Sequence, residues 1–441
     1  MIKLWTVGGY SEVGKNMSVL EYKDEAVILD MGFYLPALMG FEEGGGDRRN
    51  LTPKGLIKIG AIPDDDFVKS LKGKIKAIVL SHCHLDHIGG VPYLAKDYNA
   101  PVVGTPYTIE VLRGLYKDEG IEIENELEVM KAGYTMQVSK NIEIEFINVT
   151  HSTLDCVLIV IRTPDGVVVY ANDFKLDNHP VIGRKPDYTR LKEIGRGEKV
   201  LGLIVDSLYA DRAMKTPSER VAREMLRDVM FGADNYGHGL FVTSFASHIH
   251  RLKSMVDFGR KLNRKIVFLG RSLRKYVGAA ERLGLVDFHD VETLSYGREV
   301  EGMLKKVEKN RSKYLVVCTG GQAEPGAILT RIGNGKLPFR FKYDDHVIFS
   351  CSVIPVEANI KARGKLEKEL SAKGVRLFTD IHASGHASRE DLRDLIDYLK
   401  PKKLIPGHGG RDITSKMEDL GKMMGYEENF FILSNGKKID L

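Results

Sequence analysis

The chain lacks what would mark a secreted, fibrous or membrane protein. Its 441 residues include four cysteines, Cys83, Cys156, Cys318 and Cys351, which stand far apart without paired spacing. That excludes a disulfide framework and a zinc ribbon. No run approaches the roughly 18 consecutive apolar residues of a membrane span. The opening Met1-Ile2-Lys3-Leu4-Trp5 carries no signal core or cleavage site, so a cytoplasmic rather than a secreted protein is expected. Internal repeats, low-complexity stretches and long linkers are absent too, which points to one domain inserted within another rather than beads on a string. Neither sign of charge dominates, with 65 Lys/Arg against 60 Asp/Glu, and a net charge of +5 says little about partners.

The distribution of that charge says more. Residues 206–355 hold 25 Lys/Arg and 17 Asp/Glu, a net +8, whereas the rest holds 40 and 43, a net −3. The middle third is therefore where a polyanion could be held, if the excess is not simply a solvated helical face. The N-terminal third reads as short Val/Ile-rich strands at 3–7, 17–22, 26–30, 75–80, 101–103, 142–149, 157–162 and 167–171, with a helix at 105–119. From 217 the pattern becomes strand then helix: 239–245 into 249–262, 265–269 into 273–283, and 314–318 into 323–332. A parallel sheet with covering helices is expected there. Thr216-Pro217-Ser218-Glu219 places Glu at a capping-box position before the helix at 217–230. Beyond 355 follow a helix at 359–373, a strand at 375–380, a helix at 389–399 and a strand at 403–405.

The strongest chemical signal is Ser81-His82-Cys83-His84-Leu85-Asp86-His87-Ile88-Gly89-Gly90, directly after an apolar strand. Three imidazoles and a carboxylate within six residues suit Zn²⁺, with Mn²⁺ or Fe as alternatives. Alternation lets His82 and His84 point one way while Asp86 and His87 face a second position, so two ions fit. Cys83, between two outward ligands, is expected to point into the core. Gly9 to Asn16 reads G-x-x-x-x-G-K-N, but Asn16 lacks the hydroxyl that a phosphate loop uses to hold Mg²⁺, and a strand rather than a helix follows. A β-hairpin turn near the active-site rim is expected instead, not an ATP site.

The His-x-His-x-Asp-His run resembles the metallo-β-lactamase superfamily, and the remaining motifs of that pattern are present in order. Asp30 ends an early strand, His151 follows a strand in Asn148-Val149-Thr150-His151-Ser152, and Asp173 ends the strand before Phe174-Lys175. The resemblance implies that His82, His84 and His151 hold one zinc and Asp86, His87 and His408 a second. Asp173 would bridge them, Asp30 would orient ligands from behind, and Mn²⁺ is a substitute metal. Asp206, His386 in His382-Ala383-Ser384-Gly385-His386 and His408 in Pro406-Gly407-His408 match the acidic and two histidine motifs of the β-CASP group. A histidine at the last position is typical of members acting on RNA. Further segments resemble the ribonuclease J family over nearly the whole chain, in its shorter, archaeal form. They include Gly8 to Met17, Ser244 to Arg251 and Cys318 to Pro325. Asn172 departs from the family pattern, standing where Gly is common before the bridging Asp.

The fold so implied is α/β, a metallo-β-lactamase αββα sandwich (1–205 and 356–441) with an inserted β-CASP domain (206–355). The activity implied is zinc-dependent hydrolysis of single-stranded RNA, 5′→3′ and favouring a 5′-monophosphate, in RNA processing and decay. Asp86, Asp173, Asp206 and His386 are the catalytic candidates, with His386 as the acid that protonates the leaving 3′-oxygen. Ser247, His382, Ser384, Gly385 and His386 would grip the phosphate. His248 and His250 carry ordinary surface expectations. The resemblance is compatible with a homodimer, and no membrane partner is expected. Endonucleolytic cutting, a DNA nuclease of the same group and a small-molecule metallo-hydrolase are the rival readings. The long basic insertion argues against the last, His408 against DNA, and the complete ligand set against a non-catalytic relative.

Overall fold

A computed structural model describes residues 1–43, 45–47, 50–295, 297–354 and 357–441. They divide into two compact units. The first comprises Met1–Asn178, Gly183–Thr216 and Ser384–Leu441, and the second His179–Ile182 and Pro217–Ala383.

Among the described residues the first unit is built on two sheets. One runs β19-β1-β2-β3-β4-β5-β6, from β1 (Ile2–Gly8), β2 (Met17–Tyr22), β3 (Glu25–Leu29), β4 (Ile75–Val79), β5 (Val102–Gly104), β6 (Leu127–Val129) and β19 (Lys437–Asp440). The other runs β18-β11-β10-β9-β8-β7, from β7 (Thr135–Gln137), β8 (Glu143–Asn148), β9 (Val157–Thr163), β10 (Gly166–Ala171), β11 (Val200–Asp206) and β18 (Lys403–Gly407). Strand side chains alternate between faces, and the sequence exploits both faces of the second sheet. Val157, Ile159, Ile161, Val168, Tyr170 and Ile204 face the first sheet's Leu20, Val27, Leu29, Ala77 and Val79 in one core. Leu158, Val160, Val167, Val169, Leu203 and Val205 face outward, onto Leu191 and Ile194 of helix Tyr188–Gly197 and Leu392, Leu395 and Ile396 of helix Arg389–Leu399. Helix Pro106–Glu119 buries Ile109, Val111, Leu112 and Leu115 beside β5 and β6 of the first sheet. The result is the expected αββα sandwich. The strands β10, β11 and β18 are mutually parallel, so their C-terminal ends lie together.

The second unit holds one all-parallel sheet, β14-β13-β15-β12-β16-β17, from β12 (Leu240–Thr243), β13 (Lys265–Leu269), β14 (Glu292–Leu294), β15 (Tyr314–Cys318), β16 (His346–Phe349) and β17 (Arg376–Phe378). Its boundaries differ from those read in the sequence. The expected end at Pro355 lies outside the described residues, and the chain returns to the first unit only at Ser384. The reason is strand pairing: β17 extends the parallel sheet through His346↔Arg376 and Val347↔Leu377, and helix Glu357–Ser371 packs with it. The main segment of this unit begins at Pro217, because Thr216 Oγ1 donates to the His386 carbonyl at 2.9 Å and Tyr209 bridges Ser388.

The expected capping box also fails. Ser218, not Thr216, caps helix Glu219–Gly232 by accepting from the Arg220 N–H at 3.1 Å. Glu219 instead takes the fully buried Arg251 guanidinium in two bonds of 2.6 and 2.9 Å. His248 and His250 are not surface residues, being 2% and 5% exposed. His250 Nδ1 accepts from the Ile182 N–H at 3.2 Å, and His248 Nε2 lies 3.4 Å from Glu219. The helix read at 323–332 is shorter, Ile328–Gly333.

Candidate metal centre

Every candidate ligand sits where a strand of the first unit ends. β4 runs into an extended segment carrying His82 and His84, and then into the one-turn helix Leu85–Ile88. The change from period two to helical spacing is what separates His82 and His84 from Asp86 and His87. Asp173 follows β10, Asp206 ends β11 and His408 follows β18. The parallel pairing Asp206↔Gly407 makes the last two neighbours. Asp30, Asp173 and His408 have φ of 59°, 56° and 57°, left-handed backbone that side chains rarely adopt. Such strain concentrates where position matters more than local stability.

Two groups of ligand-type atoms form around one shared carboxylate: His82, His84, His151 and Asp173, and Asp86, His87, Asp173 and His408. In the first, His84 Nδ1 lies 3.1 Å from both His82 Nε2 and His151 Nε2, and Asp173 Oδ2 lies 3.7 Å from each of the latter. Ligands about 2.0–2.1 Å from a shared tetrahedral zinc would stand roughly 3.4 Å apart. The spacing fits the metal. In the second group His87 Nε2 is 3.2 Å from Asp173 Oδ2 and 3.6 Å from Asp86 Oδ2, while His408 Nδ1 is 3.2 Å from Asp173 Oδ1.

The outer hydrogen bonds settle which nitrogens carry lone pairs. Ser81 Oγ donates to Asp30 at 2.8 Å, so His82 Nδ1–H must donate to Ser81 at 3.0 Å and its Nε2 is bare. His151 Nδ1–H donates to the Gly385 carbonyl at 2.7 Å, baring its Nε2, and His87 Nδ1–H donates to Asp30 at 2.7 Å, leaving Nε2 to face Asp173 and Asp86. Such partners fix ring orientation and raise ligand basicity. For His87 burial is outweighed by the charges of Asp173 and Asp86, which hold that ring well above the usual histidine range. Burial, reinforced by the neighbouring imidazoles, keeps His82 and His151 well below the usual histidine range. For His84 burial dominates against nearby carboxylates and lowers it to about 4. All three are neutral donors at neutral pH. Burial opposes charge on Asp173, but His408, His87 and His386 hold it well below the usual carboxylate range.

His386 stands apart from both groups yet within reach of them. Its Nδ1 lies 2.8 Å from Asp206 Oδ2 and 3.9 Å from Asp173 Oδ1. Burial works against its charge, but Asp173 and Asp206 raise it to about 9. Ser384 Oγ accepts the His386 backbone N–H at 3.0 Å. Gly385 has to be Gly here, since a Cβ would come within 2.8 Å of Ser152 backbone and side-chain atoms. Ser384 and Gly385 belong to the first unit, whereas Ser247 and His382 belong to the second. Cys83 is buried as expected, its Sγ 3.0 Å from Thr153 Oγ1 and outside both groups. The sequence motifs do not point to Asn16, Tyr170 and Asn172 as parts of the site. Asn16 reaches His87 and His408 at 3.0 Å each, and Asn172 and Tyr170 stand behind it. The one signal in the sequence is Asn16 itself, a residue without a role once a phosphate loop is excluded.

Residues 11–206 match the metallo-β-lactamase superfamily, 238–363 the β-CASP domain of ribonuclease J, and 375–432 a domain described as the Zn-dependent metallo-hydrolase RNA specificity domain. Fold, ligand cluster and matches together define a metal-dependent hydrolase of the metallo-β-lactamase superfamily with an inserted β-CASP domain. The chain is 42% identical to ribonuclease J of Methanocaldococcus jannaschii, over 99% of this chain and 98% of that one. It is 43% identical to ribonuclease J of Pyrococcus abyssi, over 100% and 97%, and 31% identical to that of Synechocystis, of which it spans 66%. The chain belongs to the ribonuclease J family. A crystal structure of an Enterococcus faecalis V583 protein of unknown function shares the fold, with a TM-score of 0.67 at 17% identity over 100% of both chains. Among the described residues no helix is long and apolar enough to cross a membrane.

Proposed function

We propose that the chain is a zinc-dependent ribonuclease that degrades single-stranded RNA from the 5′ end and favours a 5′-monophosphate. The observation that carries this reading is the sharing of Asp173 by three groups: the two ligand sets and the Asp206–His386 pair. In it, His82, His84 and His151 would hold one zinc and Asp86, His87 and His408 the other, with Asp173 common to both sets and Mn²⁺ as a substitute. Bound zinc supplies Lewis-acid activation of the phosphate and a water acidified toward neutrality. Asp30 keeps His87 in its ligating tautomer. Asp206 occupies His386 Nδ1, so Nε2 is the atom that protonates the leaving 3′-oxygen. Ser384 and Gly385 join His386 in gripping the phosphate. The RNA-specificity match spans His382 to His408, which favours RNA over DNA. Cytoplasmic RNA decay and a homodimeric assembly belong to the same reading.

The polarity is tested with one RNA bearing a 5′-monophosphate, 5′-triphosphate or 5′-hydroxyl, labelled at either end. The monophosphate form is expected to be consumed fastest, releasing 5′ nucleotides from the start of the reaction. Equal rates with internal fragments appearing first would favour an endonuclease.

The net +8 of the middle third gives a second expectation. If it holds the RNA backbone, log affinity falls with log salt at a slope of about −0.7 per phosphate neutralised. A flat titration would reduce the excess to a solvated face.

A further inference from the structure

Behind the second ligand group runs a chain of buried hydrogen bonds, of which the proposed chemistry uses only the link from His87 to Asp30. Its members are Asp30, Tyr170, Asn172, Asn16 and His87, none more than 4% exposed. The direction of every bond follows from Asp30. A carboxylate only accepts, so the Tyr170 hydroxyl must donate to Asp30 Oδ2, at 3.0 Å. With its proton committed, that hydroxyl offers Asn172 a lone pair, and Asn172 must present its NH₂, at 3.0 Å. The second N–H of the same amide reaches Asn16 Oδ1 at 2.9 Å. Asn16 Oδ1 has a second lone pair for His408 Nδ1–H, 3.2 Å away, which bares His408 Nε2, and the Asn16 NH₂ donates to the Asp86 carbonyl at 3.1 Å. At the other end of the chain Asp30 takes His87 Nδ1–H as well. Turning the Asn172 amide over would set its oxygen against the Tyr170 oxygen, so the chain has one polarity.

The backbone is shaped to the same end. Gly9 has φ of 86°, and a Cβ there would fall 2.3 Å from Asn16 Oδ1. The Asn16 N–H donates to the Asp86 carbonyl at 3.0 Å, tying the hairpin turn to the ligand-bearing loop. His87 has Asp30 to hold it, but the ring nitrogens of His408 meet only Asn16 and the carboxylates of Asp86 and Asp173 among the described residues. The two rings stand nearly parallel, 16° apart in plane with centroids 5.7 Å apart.

We infer that Asn16, polarised by Asn172 and Tyr170, is the positioning residue of the second metal position, presetting His408 against His87. This rests on the two-zinc reading above. Without Asn16, His408 would be steadied only by carboxylates that the same cation must share, and its ring would be ordered at the moment of binding. Outer partners of ligating histidines typically change metal affinity by about 10–100-fold.

The experiment is competition for Zn²⁺ between a chelator and the parent, Asn16→Ala and Asn172→Gly proteins, resolving the first and second ion. In Asn16→Ala the second zinc is expected to bind about 10–100-fold more weakly while the first is unchanged. Asn172→Gly supplies the residue common in the family and leaves Asn16 unpolarised, so a smaller loss confined to the same ion is expected. A merely structural role would weaken both ions together, or lower thermal stability without separating them. Either result overturns the inference, as does parental or tighter binding of the second ion. If Asn16→Ala fails to fold, the second-ion affinity of Asn172→Gly decides between the same outcomes. A parent that binds fewer than two zinc ions overturns the two-metal reading itself, whereas a two-zinc parent with unaltered variants overturns only this inference.

Discussion

Asp173→Ala is expected to leave the purified protein with almost no zinc and RNA cleavage at the detection limit. Among the described residues no other side chain belongs to both ligand groups and to the Asp206–His386 group. Its Oδ2 stands 3.2 Å from His87 and 3.7 Å from His82 and His151, and its Oδ1 stands 3.2 Å from His408. Removing it leaves four buried imidazoles facing one another with no anion at their centre. A cation then has neutral donors only on the first side and a quarter-exposed Asp86 on the other. His408→Ala should behave differently, losing one ion and keeping the other. Metal analysis after mild dialysis separates the two, with labelled RNA reporting turnover. An Asp173→Ala protein that retains two ions would disprove the shared-carboxylate arrangement, and one that loses a single ion would assign Asp173 to one position only.

His386→Ala should do nearly the reverse, keeping zinc and RNA affinity while turnover drops by about 10²–10⁴, the usual contribution of a positioned acid. The expectation comes from geometry: His386 touches Asp206 rather than the converging nitrogens of His82, His84 and His151. The deficit should shrink on a substrate whose leaving group departs more easily than a ribose 3′-oxygen, because such a group needs less help from a proton. Loss of zinc from His386→Ala would move the residue among the ligands. An unchanged rate would send the search for the acid to His382.

Most of the candidate site is legible in the sequence, because metal ligation demands rare residue types at short spacings. His82, His84, Asp86 and His87 lie within one loop, and strand-end positions flag His151, Asp173 and His408. Asn16 and Asn172 are not legible as parts of it. Asparagine is a common turn residue, and their contact spans 156 positions in the chain. The boundaries of the second unit escape the sequence for a related reason. A helix and strand at 357–378 look alike whether they pair with β16 or with the other unit, and only the ladder His346↔Arg376 decides.

By itself, then, the sequence determined the alternation of buried strands, the ligand types, the order of the motifs and the family they belong to. These are local properties, written in periodicities of two and 3.6 and in the chemistry of single side chains. The tertiary structure alone decided that the Asp206–His386 pair also converges on Asp173, which nitrogens of His82 and His151 are bare, and that His248 and His250 are interior. It also decided that a glycine-rich turn resembling a phosphate loop serves to seat Asn16 behind His408. Those facts depend on parallel strand ends meeting and on where each buried proton must go, and proton direction is settled only when every donor and acceptor in the hydrogen-bonded chain is counted together.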